Sequence, residues 1–306
     1  MDHPLSRGRH ALPLLALLLL AAPVSAQAGG IEVFAAETLF ASGTRVSISH
    51  IRERKGTLFD GTSELSDPLH RTFTERRLVA AIDHGLLPNL TLSALVPYVH
   101  KSLESSAGDL SGEGFGDVAV LAKWRVHKRD WRRGAFHVSV IGGLELPTGE
   151  TGARDQGARL PVSLQPGSGS WDPFLALAVN LDLNRLRFDA LAFHKLNTEG
   201  AQDYEDGDFT AFGVEGAYRF LHTKYPGPTA SAKLGLQWRH EGKAVQNGST
   251  VTGTGSDELI VRTGLSWHPA PEWDLSLSVQ VPLYQDYEDL QLGFDYRTFL
   301  ALGIRF

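Results

Sequence analysis

The sequence predicts an all-β chain, a closed antiparallel transmembrane β-barrel of about twelve strands. Three observations carry that expectation. Hydrophobicity alternates with period two along most of the chain, so each segment presents one apolar face. The connections between these segments are long and short by turns. No apolar run beyond residue 26 reaches the ~18 residues by which a membrane-spanning helix is recognised.

Taken in order, residues 1–26 read as an export signal: Arg7 and Arg9 precede an apolar stretch from Ala11 to Ala22, and Val24-Ser25-Ala26 forms a small-residue cleavage site. Residues 27–42 are an N-terminal segment and candidate plug, and the barrel is expected over 43–306. Its strands fall at 43–53, 72–84 and 89–102, the third with Leu90, Leu92, Ala94, Val96 and Tyr98 on one face. Strands at 115–126 and 134–147 follow. In 171–183, Leu175, Leu177, Val179, Leu181 and Leu183 alternate with Phe174, Ala176, Ala178, Asn180 and Asp182. The remainder lie at 186–197, 208–221, 229–240, 257–269, 273–285 and 294–306.

Long connections at 54–71, 103–114, 148–170, 198–207, 241–256 and 286–293 alternate with short ones at 85–88, 127–133, 184–185, 222–228 and 270–272. Bacterial barrels have this rhythm, with short turns in the periplasm and long loops outside. A soluble sandwich alternates too, but has no reason to sort its connections by length. Against lipid every backbone group must pair, so the sheet has to close. Tyr98, Trp171, Trp238 and Tyr296 mark one end of the strands and Trp124, Tyr218, Trp267 and Trp273 the other, as two interfacial girdles. The row Tyr296, Thr298, Leu300, Leu302, Ile304, Phe306 resembles the C-terminal signal read by the barrel-assembly machinery. The expected surroundings are outer-membrane lipid and lipopolysaccharide.

Composition removes several kinds of chemistry. The formal net charge is −6 with no long run of either sign, which argues against a nucleic-acid partner. There is no cysteine, so disulfides, a lipid-anchor thiol and thiolate metal sites are absent. The twelve histidines are scattered without a chelating pair on one strand face, and no metal site or cofactor is expected. Gly112-Glu-Gly114-Phe-Gly116 precedes a strand rather than opening a helix, unlike a dinucleotide loop. The acidic run Asp203-Tyr-Glu205-Asp206-Gly207-Asp208 departs from calcium-loop spacing and reads as a solvated, lipopolysaccharide-facing loop.

The inward face carries charge of both signs. The two-residue turn Asn184-Arg185 pairs Asp182 with Arg187, Asn180 with Asp189 and Phe174 with Lys195. Folding 115–147 about residues 130–132 sets Asp117 opposite Glu145, Lys123 opposite Ser139 and Arg125 opposite His137. Asp172, Glu215, Arg262 and Arg305 also fall inward. An Arg or Lys facing lipid at the midplane would cost about 2–4 kcal/mol, which supports this register. These side chains are the lumen-lining candidates, either as a conduction path or as a salt-bridged, hydrated interior. Gly143, Gly213, Gly235, Gly264 and Gly303 share their face and leave gaps between them. His137 and Ser139 are a two-residue match to the His-x-Ser pair of outer-membrane phospholipase A, but point inward here; no catalytic residue is expected.

Four segments carry a broader resemblance: Gly114-Phe-Gly-Asp117 leading into Val118 to Arg125, Gly142-Gly-Leu-Glu-Leu-Pro-Thr-Gly149, Leu160-Pro-Val-Ser-Leu-Gln-Pro-Gly-Ser-Gly-Ser-Trp-Asp-Pro173, and Pro282-Leu-Tyr-Gln-Asp286. Together they resemble the outer-membrane barrel family named for the meta-cleavage pathway of phenol degradation. That resemblance implies a barrel-shaped transporter that takes up small solutes, aromatic or otherwise hydrophobic, by passive diffusion. A closed structural or adhesive barrel and an outer-membrane lipid hydrolase are the other readings. The Pro and Gly residues of 160–173 are suited to folding that loop inward as a constriction or cap.

Overall fold

The computed structural model describes residues 34–306, so the expected export signal lies outside the described residues. Eleven elements form one antiparallel ring: β1 Thr44–Gly61, β2 Thr72–Leu87, β3 Leu90–Glu104, β4 Val118–Trp131, β5 Gly134–Leu146, β6 Asp172–Leu183, β7 Leu186–Lys195, β8 Phe209–His222, β9 Thr229–Glu241, β10 Ser256–His268 and β11 Trp273–Arg305. Each pairs with its neighbour in sequence, and β11 closes the ring on β1. Two short strands, Ser63–Leu65 and Leu110–Phe115, pair onto β1 and β3 at the rim.

A ring of antiparallel neighbours must hold an even number of strands, and β11 resolves the parity. Residues 275–287 run antiparallel to β10, while 287–305 run antiparallel to β1. Because β10 and β1 themselves run in opposite directions around the ring, β11 is two arms folded back near Asp289, whose φ is 66°. Twelve spans result, at the positions that period two predicts. The connections keep their alternation, with two-residue turns at 88–89, 132–133 and 184–185 at one end and excursions such as 147–171 at the other.

Outward positions carry the large exposed apolar side chains, among them Ile48, Leu78, Leu92, Leu177, Leu236, Leu277 and Leu302. Trp124, Trp171, Tyr218, Trp238, Trp267 and Trp273 are exposed near strand ends. A surface so apolar is stable against lipid, not water. Packing therefore turns inside out, and the buried cluster lies in the lumen. Ile51, Val79, Leu95, Leu121, Ile141, Phe174 and Phe193 point inward and meet there. A Cβ on Gly143 would sit 2.1 Å from the Phe174 ring, so that gap is filled rather than open. Beside Gly213 a Cβ would find its nearest atom at 3.8 Å, which leaves room.

One register departs from expectation. Lys123 pairs with Ile141 and Arg125 with Ser139, while Glu145 faces Ala119 rather than Asp117. The turn is Arg132-Arg133, later than the centre assumed, and a bulge at Val126 absorbs one residue. The net shift of two preserves the inward face. At the Asn184-Arg185 turn the ladder runs as expected, with Asp182 opposite Arg187 and Phe174 opposite Lys195.

Candidate functional site

The lumen is the candidate site, and the part of it least visible in the sequence is residues 34–43. This segment is not part of the wall. It leaves β1 at the short-turn rim, where Ser42 N–H donates to Gly85 O at 2.7 Å and Gly85 N–H to Gly43 O at 2.8 Å. A Cβ on Gly85 would lie 2.0 Å from Phe40 O, so only glycine admits this approach. Leu39 N–H donates to Thr91 Oγ1 at 2.9 Å, Lys123 Nζ to Glu37 O at 3.3 Å, and Ser139 Oγ to Ala36 O. Phe34 then packs against Phe193 and Phe174, with ring centroids 5.4 and 6.3 Å away.

Arg187 is the electrostatic anchor of that path. Its guanidinium holds both oxygens of Glu37, with Nη2 to Oε2 at 2.7 Å, and reaches Asp189 at 2.8 Å. Burial alone would raise the Glu37 carboxyl, but the charge and hydrogen bonds of Arg187 outweigh it and hold the group at about 2. Asp182 lies directly across the ladder from Arg187, yet the side-chain ion pair expected there is replaced by Glu37 and Asp189. The physical reason is reach: the guanidinium turns from its cross-strand partner to a bidentate carboxylate in the lumen.

The other expected lumen residues separate into two tiers. Toward the short-turn end, Asn180 Nδ2 donates to Asp189 at 3.1 Å, Arg262 lies 3.4 Å from Glu215, and Arg305 3.4 Å from Asp274. Arg125 caps the turn carbonyl of Pro88 at 2.7 Å. A cavity of about 320 Å³ opens in this tier between the wall and Glu37, Thr38 and Leu39. Toward the long-loop end, Lys195 sits 3.3 Å from Glu145 and 3.7 Å from Asp172, all three buried. Asp117 accepts from Gly149 N–H at 2.8 Å and from the Ser168 amide and hydroxyl, which ties the 147–171 loop to the wall.

That loop closes over the long-loop end. Leu160 and Leu164 are buried among Leu58, Phe73, Leu103 and Leu292. Gln165 is buried and bonds Ala153 and Leu160, while its carbonyl accepts from Lys101 Nζ at 2.8 Å. The acidic loop is not fully solvated, since Asp206 is buried. Burial pushes its carboxyl well above the usual range; Lys195 opposes this, and the charges of Glu241 and Asp172 add to it.

Sequence reasoning missed Glu37, and with it a grouping of Glu37, His137 and Asp182 whose ligand atoms lie within 4.8 Å of one another. Arg187 already occupies both Glu37 oxygens. The buried pairs Glu53 with Arg297, Glu75 with Arg77, and Glu258 with Arg239 were missed as well. Their inward parity was readable, but not which neighbour each would hold: Glu75 and Arg77 share one strand, Glu258 and Arg239 face each other on adjacent strands, and Glu53 and Arg297 face each other across the seam. Ser139, one half of the expected His-x-Ser match, is fully buried and donates to Ala36 O, and His137 Nδ1 lies 3.3 Å from Asn180.

The family model described as "Putative MetA-pathway of phenol degradation" matches residues 73–298. Among solved structures, an outer membrane channel from Pseudomonas putida F1 is similar at 16% identity and TM-score 0.67, covering 89% of this chain and 98% of that one. A monoaromatic hydrocarbon channel, CymD, aligns at 8% identity and TM-score 0.39 over 88% and 89% of the two chains. The translocator domain of the autotransporter NalP from Neisseria meningitidis aligns at 14% identity and TM-score 0.42 over 87% and 89%. At these identities the likeness is one of fold. No curated protein matches the sequence.

Proposed function

Because this chain belongs to the family described as "Putative MetA-pathway of phenol degradation", we propose that it is an outer-membrane channel passing small aromatic or other hydrophobic solutes by passive diffusion. The observation that carries this reading is the 34–43 segment, which fills the lumen yet joins the wall only by side-chain contacts and a few backbone bonds at the rim. Such an occluder can move while the sheet stays paired. The Phe34, Phe174 and Phe193 cluster gives the path an aromatic collar above the charged cavity, a surface on which a flat apolar solute can exchange for a ring already there. In this reading the short turns face the periplasm, the long loops face outward, and the candidate lumen residues line the route.

Deletion of residues 34–42 is the direct test. In planar bilayers the deletion variant should give discrete, larger single-channel currents than the intact chain, and liposomes carrying it should take up monoaromatics faster. Silence from both proteins, with the barrel folded, would favour the closed structural reading, which the filled lumen also supports. Phe306 is exposed at the end of the outward row, and we read it as the contact for the assembly machinery. Removing it should slow insertion in cells without altering the refolded barrel.

A further inference from the structure

On the outer surface, one cross-strand row breaks the apolar pattern. Reading across the strands it contains Thr298, Arg52, Arg76, His100 and Glu113, each the Cα partner of the next. The row beneath is Leu300, His50, Leu78, Tyr98 and Phe115, and it is largely apolar, with the Tyr98 and Phe115 rings 5.5 Å apart edge to face. Going up each strand, the outward residues change at the same level: Ile82, Ala80 and Leu78 give way to Arg76, and Val96 and Tyr98 to His100. That level is the long-loop edge of the lipid band. Counting from Thr44, Arg52 stands roughly 20 Å above the short-turn rim for a strand tilted about 40°.

Like charges directly opposite one another in a sheet repel, and Arg52 faces Arg76. Their neighbours at this level are answered: Arg54, one step higher, lies 3.4 Å from Asp295, and His100 lies 3.3 Å from Glu113. Among the described residues, Arg52 and Arg76 have no ion-pair partner, and the Arg52 Nε–H is enclosed without an acceptor. Two adjacent guanidinium forks above an apolar, aromatic shelf fit a phosphorylated headgroup whose chains lie along the shelf.

We propose that Arg52 and Arg76 bind a phosphate of the lipid A headgroup of lipopolysaccharide in the outer leaflet. The site rests on the outer-membrane orientation given above, but not on conduction. A channel that fails to conduct leaves this binding unchanged, so the two readings fail separately.

The experiment is thermal melting of the refolded, detergent-solubilised full barrel, followed by its heat-modifiable mobility. Bis-phosphorylated lipid A should raise the melting temperature by about 2–4 °C. Dephosphorylated lipid A, phosphatidylglycerol and inorganic phosphate should leave it unchanged. Arg52→Gln combined with Arg76→Gln should abolish the shift and, without glycolipid, melt no lower than the parent, since the facing charges are gone. If the double variant does not refold, Arg76→Gln alone should lose at least half of the shift. A full shift in either variant, or an equal response of the parent to dephosphorylated lipid A, phosphatidylglycerol or free phosphate, overturns the assignment.

Discussion

Arg187 joins the wall to the chain that crosses it, and the consequences are local and titratable. Replacing Glu37 by Gln keeps the shape and removes the charge. A carboxyl held at about 2 against an ordinary 4.5 contributes its full stabilisation above pH 4.5 and loses it as the pH falls toward 2. Thermal melts of the parent and Glu37→Gln should therefore differ at neutral pH and converge as the solution is acidified through that window. A constant gap would mean that the pair adds no stability. Arg187→Gln is the more damaging change, because it leaves Glu37 and Asp189 facing each other, and roughly 1–3 kcal/mol is expected after allowance for their partial exposure. The inward direction of Arg187 was legible from period two. Glu37 was not, because its segment has no periodicity and its partner lies 150 residues away.

The loops carry the next level of control. Leu164 is a fully buried residue by which the 147–171 excursion packs onto the wall, and Leu164→Asp would place an unpaired carboxylate among Leu58, Phe73 and Leu103 at a cost of about 2–5 kcal/mol. Protease should then cut 147–171 in intact cells, where the parent resists. Asp206 works in the opposite sense to Glu37. Its carboxyl is raised in the folded loop, so the loop is held best in acid and loosens as the pH rises above the ordinary 3.8. Exchange protection across 196–208, corrected for the base-catalysed intrinsic rate, should fall with pH in the parent and stay constant in Asp206→Asn. The inward turn of 160–173 was readable from its Pro and Gly content, whereas the burial of Asp206 ran against the acidity of its neighbours. Strand positions were legible because each span repeats one face. The Asn184-Arg185 register was fixed by a two-residue turn, whereas the mostly charged run 127–133 hid where its turn falls: the turn at Arg132-Arg133 shifts the register by three and the bulge at Val126 takes back one.

At the scale of the whole barrel, the seam between β1 and β11 joins the first span to the last. Its buried pair, Glu53 and Arg297, lies 244 residues apart with Nε to Oε2 at 2.8 Å. Removing one partner of a buried pair costs about 3–5 kcal/mol, so Glu53→Ala should lower the heat-resistant fraction on gels far more than exposed Arg54→Ala. Membrane fractionation should recover the intact protein with the outer membrane, as its apolar exterior requires. The same seam brings Thr44 and Phe306 together, each donating a backbone N–H to the other's carbonyl, at 2.8 and 2.9 Å. The ring thus has no structural beginning. A circular permutant that links 306 to 44 and opens within 242–255 keeps the ladders of the ring, making the β1–β11 pairing local and the β9–β10 pairing the most distant one. Folding slows as contacting residues lie farther apart in sequence, and each chain order has one such closing pair, so the permutant should reach the closed ring about as fast as the natural order, with β9 and β10 meeting last in place of β1 and β11.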